Sequence, residues 1–141
     1  MVERGGAQLR ASIVTNPMNE VIGSGTSVFE TSPVTGIWKM LNTPDDVLEL
    51  MDTSAEGVVA GVKDAGATFL APIFDELAAV VCMSGTPSSH IGIVSREYRV
   101  PCMMASEFLN GVPVDGTRVI VDCSTYAGLV QIPDQVEGFH L

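Results

Sequence analysis

From residue 21 onward the chain alternates short apolar runs with turns, and the period of the apolar positions changes from run to run. Val28, Val34, Ile37, Trp38 and Met40 lie among Gly, Ser and Thr. That β-branched, glycine-punctuated stretch predicts short strands joined by turns. Thr43-Pro44-Asp45-Asp46 predicts a helix start. Thr43 can cap, Pro44 suits the first helical position, and the aspartates favour the positive end of the dipole. This helix carries Val47, Leu48, Leu50 and Met51 and should end near Ser54, before Gly57. Gly57 to Val62 reads as a strand and Asp64-Ala65-Gly66 as a turn. Phe69, Leu70, Ile73, Phe74 and Leu77 then recur at helical spacing, which predicts a short helix from Thr68 to Leu77. Pro72 must sit in its first turn, where a missing N–H does no harm. Ala78 to Met83 is a continuous apolar run of the length of a buried strand.

Ser84 to Ser89 is a loop of turn-forming residues. After it, Ile91, Val94 and Tyr98 mark an amphipathic helix that must stop before Val100-Pro101. Pro101 to Ala105 reads as a strand, Asp115-Gly116 as a turn, and Arg118 to Asp122 as a strand. Ala127-Gly128 reads as a turn before a last strand, Leu129 to Ile132. Residues 1–20 form an N-terminal arm with one short strand, Ala11 to Thr15. Many short strands, about three helices and a clear strand–loop–helix–strand unit from Val80 to Met104 predict a compact α/β domain.

Composition narrows the function classes. With 141 residues and 46% hydrophobic content, the chain can bury one core, so residues 1–141 read as a single domain. Seven basic against 17 acidic residues give a net charge of −10. A field of that sign repels phosphates, so neither nucleic acid nor an anionic membrane is expected as a partner. No apolar stretch reaches the roughly 20 residues of a membrane span. The opening residues lack the apolar core of a secretion signal. Cys82, Cys102 and Cys123 each sit in an apolar run and form no C-x-x-C pair. They read as buried small hydrophobes; no metal site is expected, and a reducing, cytoplasmic location is.

The candidate chemistry centres on His90. It follows a buried strand and the loop Gly85-Thr86-Pro87-Ser88-Ser89, at the start of an amphipathic helix. Unpaired amides at a helix N-terminus favour anions. The hydroxyls of Thr86, Ser88 and Ser89 add donors, so a phosphoryl group on the His90 ring would be stabilised there. Neutral imidazole is the form that attacks phosphorus. By spacing alone, a lone histidine after a serine-rich turn is more often a capping or packing residue. His140, beside the last residue, is expected to have no role. Arg96 is expected to form a structural salt bridge, and Asp122 to shape a turn. Gly-x-Ser-x-Gly, His-Glu-x-x-His and Walker-type phosphate loops are absent.

Gly85-Thr86-Pro87-Ser88-Ser89-His90-Ile91-Gly92-Ile93-Val94-Ser95-Arg96-Glu97, continuing to Val100-Pro101, resembles the signature of a known family. It is the phosphohistidine, or swivelling, domain of phosphoenolpyruvate-utilising enzymes such as pyruvate phosphate dikinase and enzyme I of the sugar phosphotransferase system. The flanks are similar too. Phe69-Leu70-Ala71-Pro72-Ile73-Phe74 resembles its aromatic-x-Thr-Pro-Leu-Phe segment. Asp115-Gly116-Thr117-Arg118-Val119-Ile120-Val121-Asp122, then Gly128-Leu129-Val130, resembles its closing hairpin. The likeness runs from about Val21 to Ile132. It implies that His90 is the phosphorylated histidine, that Ser89 and Ser88 are the hydroxyl residues beside it, and that Gly85 opens the phosphate loop. Thr86 stands where the family has a second glycine, and Pro87 where it often has arginine.

The resemblance implies a layered β/β/α swivelling domain that carries a phosphoryl group between two sites. Phosphoryl transfer needs Mg²⁺ and cationic clamps. This chain has few basic residues and no carboxylate cluster adjoining His90 in sequence. No cofactor is therefore expected on it; ATP and Mg²⁺ are expected on partners. The reading is a phosphocarrier subunit of a split phosphotransferase, working between an ATP-grasp-like nucleotide-binding subunit and an acceptor-binding subunit. The competing readings are a subunit that only covers or gates a partner's active site, as in dehydratase-like assemblies, and a degenerate domain that has lost transfer.

Overall fold

The computed structural model describes residues 19–133. The expected arm strand, Ala11 to Thr15, and His140 lie outside those residues. The elements in chain order are strands β1 (Glu20–Ser27) and β2 (Val34–Met40), helix α1 (Pro44–Thr53), strand β3 (Val58–Val62) and a 3₁₀ helix (Ala71–Glu76). Strand β4 (Ala79–Cys82), helix α2 (His90–Tyr98) and strands β5 (Cys102–Phe108), β6 (Arg118–Asp122) and β7 (Ala127–Ile132) follow.

The described residues are mixed α/β, and their seven strands close into a barrel in the order β1-β5-β4-β3-β2-β6-β7. The barrel has two unlike walls. Strands β2, β3, β4 and β5 run parallel, with Ile37 opposite Val58, Val59 opposite Ala79 and Val80 opposite Cys102. Strands β1, β6 and β7 close the barrel by antiparallel pairing. Helices cover the parallel wall, because the crossover from one parallel strand to the next must pass over a face of the sheet.

Side-chain alternation divides the interior in two. Val58, Ala60 and Val62 of β3, Val80 and Cys82 of β4, and Cys102 and Met104 of β5 face the helices. Val59, Ala79, Val81 and Met103 face the barrel interior, with Trp38, Val119, Val121 and Val130. Both faces of the parallel strands are buried, which is why β3 and β4 read as unbroken apolar runs rather than alternating ones.

Several elements differ from the sequence pattern. The segment Thr68 to Leu77 forms a 3₁₀ helix over only six residues, with i→i+3 bonds from the Ile73 amide to the Leu70 carbonyl (3.0 Å) and from Leu77 to Phe74 (3.3 Å). Pro72 does lie in its first turn. Strand β5 runs three residues past Ala105, because β1 pairs along it as far as Phe108. Strand β7 begins at Ala127, so the last turn occupies residues 124–126. Arg96 forms hydrogen-bonding contact with a carbonyl in place of the expected salt bridge: its Nη2 donates to Val28 O (3.2 Å). Asp122 does shape a turn, accepting from the Ser124 amide at 3.0 Å. Among the described residues, no helix is long and apolar enough to cross a membrane.

Candidate functional site

The site is assembled where the parallel strands β3 and β4 end. Ser84, just beyond β4, ties the two exits together. Its hydroxyl donates to the Lys63 carbonyl (2.7 Å) and accepts from the Ala65 amide (3.2 Å). Its own carbonyl accepts from the Ala105 amide (3.0 Å). Ala105 is available because β5 carries one extra residue against β1 there, with a left-handed φ of 52°. Such a bulge removes an amide from the ladder and re-aims it. Ser84 and Ala105 were not singled out by the sequence pattern. Their roles are backbone contacts across distant segments and leave no local motif.

The loop then folds back on itself. Gly85 has a φ of 75°, and a Cβ on it would run into Ala65 Cβ and Ser89 Oγ. Only glycine fits both demands without strain. The Thr86 amide donates to Ser89 Oγ (2.9 Å) while the Ser89 amide donates to the Thr86 carbonyl (2.9 Å). The Ser88 amide donates to Thr86 Oγ1 (3.2 Å). These bonds bring Thr86, Ser88 and Ser89 together immediately before His90. Ser88 and Thr86 are exposed and Ser89 is half-buried.

Helix α2 starts at His90 with Ser89 in an extended N-cap conformation. Ile91, nearly fully buried, is the anchor: its side chain fills the core and its amide donates to the Ala65 carbonyl (3.0 Å). Burying a side chain of that size contributes about 1.5–3 kcal/mol. His90 is thereby left exposed at the first turn, and its own amide has no partner among the described residues. The helix ends on Arg99 at φ 60°, with the Val100 amide donating to the Ser95 carbonyl (3.0 Å), so Pro101 can follow.

The two α-helices among the described residues begin in opposite ways. Helix α1 satisfies its own N-terminus with a capping box, in which the Asp46 carboxylate accepts from the Asn42 (2.7 Å) and Thr43 (3.1 Å) amides. Those bonds hold the Asp46 carboxyl below the usual carboxylate range. Helix α2 has no acidic residue in its first turn, and the hydroxyl at its N-cap is turned back to the loop. Its positive end is therefore open to an external anion, and His90 stands beside it.

A groove of about 200 Å³ runs along α2 from His90, past Val94, to Glu97 and Tyr98. Thr68, Leu70, Ala71 and Phe74 form its other wall. Among the described residues, no three His, Cys, Asp or Glu side chains come together as a metal seat. The three cysteines are free and buried. Burial raises all three thiols, Cys102 to about 12.

Residues 55–126 match the family model described as PEP-utilising enzyme, mobile domain, which is more than half of the chain. The chain belongs to that family. The matched span takes in β3, the Ser84–Ser89 loop, all of α2, β5 and β6; β1, β2 and α1 lie before it. The mobile-domain match thus contains His90, Ser89, Ser88, Thr86 and Gly85 together.

Curated proteins give no match to the chain. Solved structures give distant likenesses. The Microcin C7 self immunity protein MccF, in its inactive mutant apo state, has 13% identity and a TM-score of 0.40, over 82% of this chain and 41% of that one. An uncharacterized protein from Pseudomonas syringae pv. tomato str. DC3000 has 13% identity and a TM-score of 0.46, over 81% of this chain and 65% of that one. This chain therefore spans less than two thirds of either. Neither likeness bears on function.

Proposed function

We propose that this mobile domain is the phosphocarrier of a split phosphotransferase and that His90 carries the phosphoryl group. The observation that supports this reading most is the exposed His90 at a helix N-terminus free of acidic residues, inside the family-matched span. In the first half-reaction a His90 ring nitrogen attacks the donor phosphorus. A P–N bond forms, the P–O bond to the leaving group breaks, and the ring's N–H proton passes to solvent. In the second, an acceptor oxygen attacks the same phosphorus and gives up its proton, the P–N bond breaks, and the ring takes a proton back from solvent to restore neutral His90. The His90 amide and the hydroxyls of Ser88 and Ser89 donate to the phosphoryl oxygens throughout.

ATP or phosphoenolpyruvate, with Mg²⁺, is bound by an ATP-grasp-like or equivalent partner, and a second partner holds the acceptor. The site is expected to work in the cytoplasm, where its three thiols stay reduced.

The test is labelling of the full chain, in the complex it co-purifies with, by radiolabelled ATP or phosphoenolpyruvate with Mg²⁺. One phosphoryl group per chain is expected, acid-labile and alkali-stable as a phosphoramidate is. His90→Ala should abolish it and His140→Ala should not. Labelling that survives His90→Ala, or an alkali-labile phosphate, overturns the carrier reading and favours a domain that only covers a partner's site.

A further inference from the structure

The groove beside His90 carries more than the carrier reading requires. It follows one face of α2, through positions 90, 94 and 97–98, so it extends about 10 Å from the histidine. Its walls are largely apolar: Leu70, Ala71, Phe74, Val94 and the ring of Tyr98. Tyr98 is 52% exposed yet stacked on Phe74, with ring centroids 5.8 Å apart, which holds the far end of the groove open to solvent. Ile93, on the next face of the same helix, is 46% exposed.

The charges around it are one-sided. Glu97 lines the groove. Asp75 and Glu76 are exposed on the same 3₁₀ helix that supplies Ala71 and Phe74. The two cations nearest in sequence are directed elsewhere. The Arg96 guanidinium donates to the Val28 carbonyl, and that of Arg99 lies over the Phe29 ring at 5.7 Å. Among the described residues, no Lys or Arg lines the groove. Yet phosphoryl transfer requires cations around the phosphate, and none of Gly85 to Ser89 is cationic.

We infer that this groove is the docking seat for a cationic segment of the protein that exchanges phosphate with His90, with one apolar side chain of that segment seated between Phe74 and Val94. The inference rests on the carrier reading for its partner and on the groove for its place. Carboxylates along the seat attract the partner's basic residues, and the apolar walls fix their register beside the histidine. The missing cations thus arrive with the partner.

Two synthetic peptides test it by NMR titration of the labelled full chain: one alternating Lys and Leu around a single Phe, the other with Glu in place of Lys. The Lys peptide should shift the amides of Ala71, Phe74, Val94 and Tyr98. Salt near 1 M, where the Debye length falls to about 3 Å, should weaken it. Glu97→Lys, at an exposed position, should raise its Kd about tenfold or more. Equal binding of the Glu peptide, shifts centred instead on Leu109 to Val114, or unchanged affinity in Glu97→Lys overturns the seat. Phosphoramidate, a small donor that needs no docking, reads the histidine separately. It should label His90 equally in wild type and Glu97→Lys. Failure to label wild-type His90 overturns the carrier reading and leaves the peptide result to decide the seat; a Glu97→Lys chain that also loses phosphoramidate labelling overturns the seat as a separate feature.

Discussion

The carbonyl of Pro87 lies against the α-carbon of Gly92 so closely that a Cβ on Gly92 would overlap it. This contact sets the Gly85–Ser89 loop down on the first turn of α2. A helical Gly→Ala change ordinarily stabilises by about 0.5–1 kcal/mol. Here the obstruction is backbone, which cannot rotate away as a side chain can. Overpacking costs about 1–3 kcal/mol, so it outweighs the helix preference. Gly92→Ala should lower the urea midpoint and slow His90 labelling together. An unchanged or higher midpoint would show that the loop is free to lift.

Ser84 works at the other end of the loop. Its hydroxyl joins Lys63 and Ala65, and the Ala65 carbonyl in turn receives the Ile91 amide. Ser84→Ala removes two bonds from an exposed site where water replaces them, so global stability should fall by only about 1 kcal/mol. The local effect should be larger. Hydrogen exchange at the Ala65 and Ile91 amides should accelerate well beyond that of the β4 amides. Exchange that rises uniformly, or not at all, would show that Ser84 is not the clasp.

Much of this was legible in the chain. The capping pattern at Thr43 to Asp46 gave α1 its start, and the apolar run from Ala78 gave β4. The loop and His90 were legible because helix-start chemistry is local. Barrel closure was not, since it depends on β1 pairing with both β5 and β7, as in Ser27 opposite Met103 and Glu20 opposite Ile132, far apart in the chain. The 3₁₀ helix was read as longer and regular because Leu70, Ile73, Phe74 and Leu77 are buried at spacings that suit either helix. Arg96 was expected to find a carboxylate; the β1–β2 connection instead brings it the Val28 carbonyl.

The buried thiols predict an alkaline limit to stability. Burial pushes the Cys102 thiol from 9.0 up to about 12, with Cys82 and Cys123 adding to the effect. Below 9 both folded and unfolded chains keep the proton, so nothing changes. Between 9 and about 12 the unfolded chain loses it and the folded chain does not, so stability falls as pH rises. The slope approaches about 1.4 kcal/mol per pH unit. Cys102→Ala should flatten that part of the profile while lowering stability at neutral pH through the lost packing. An equally steep decline in Cys102→Ala, followed by urea denaturation across the range, would assign it to other groups.

Ser89 is where structure and chemistry separate most cleanly. Its Oγ accepts from the Thr86 amide, which leaves its hydroxyl hydrogen free to donate to a phosphoryl group bound at His90. The bond it accepts is at the surface, and its loss in Ser89→Ala should cost less than about 1 kcal/mol of stability, because water can reach the Thr86 amide. The bond it would donate is made to a phosphoryl group whose charge shifts during transfer, and losing such a donor raises the barrier. Transfer by Ser89→Ala should therefore slow about ten- to a hundredfold, equivalent to about 1.4–2.7 kcal/mol, with the denaturation midpoint nearly unchanged. Ser89→Thr, which keeps the hydroxyl, should recover most of the rate. Ser88→Ala separates the neighbouring hydroxyl, which no backbone bond among the described residues fixes in place, and should slow transfer less. Wild-type rates from Ser89→Ala would mean that the loop holds phosphate through its amides alone.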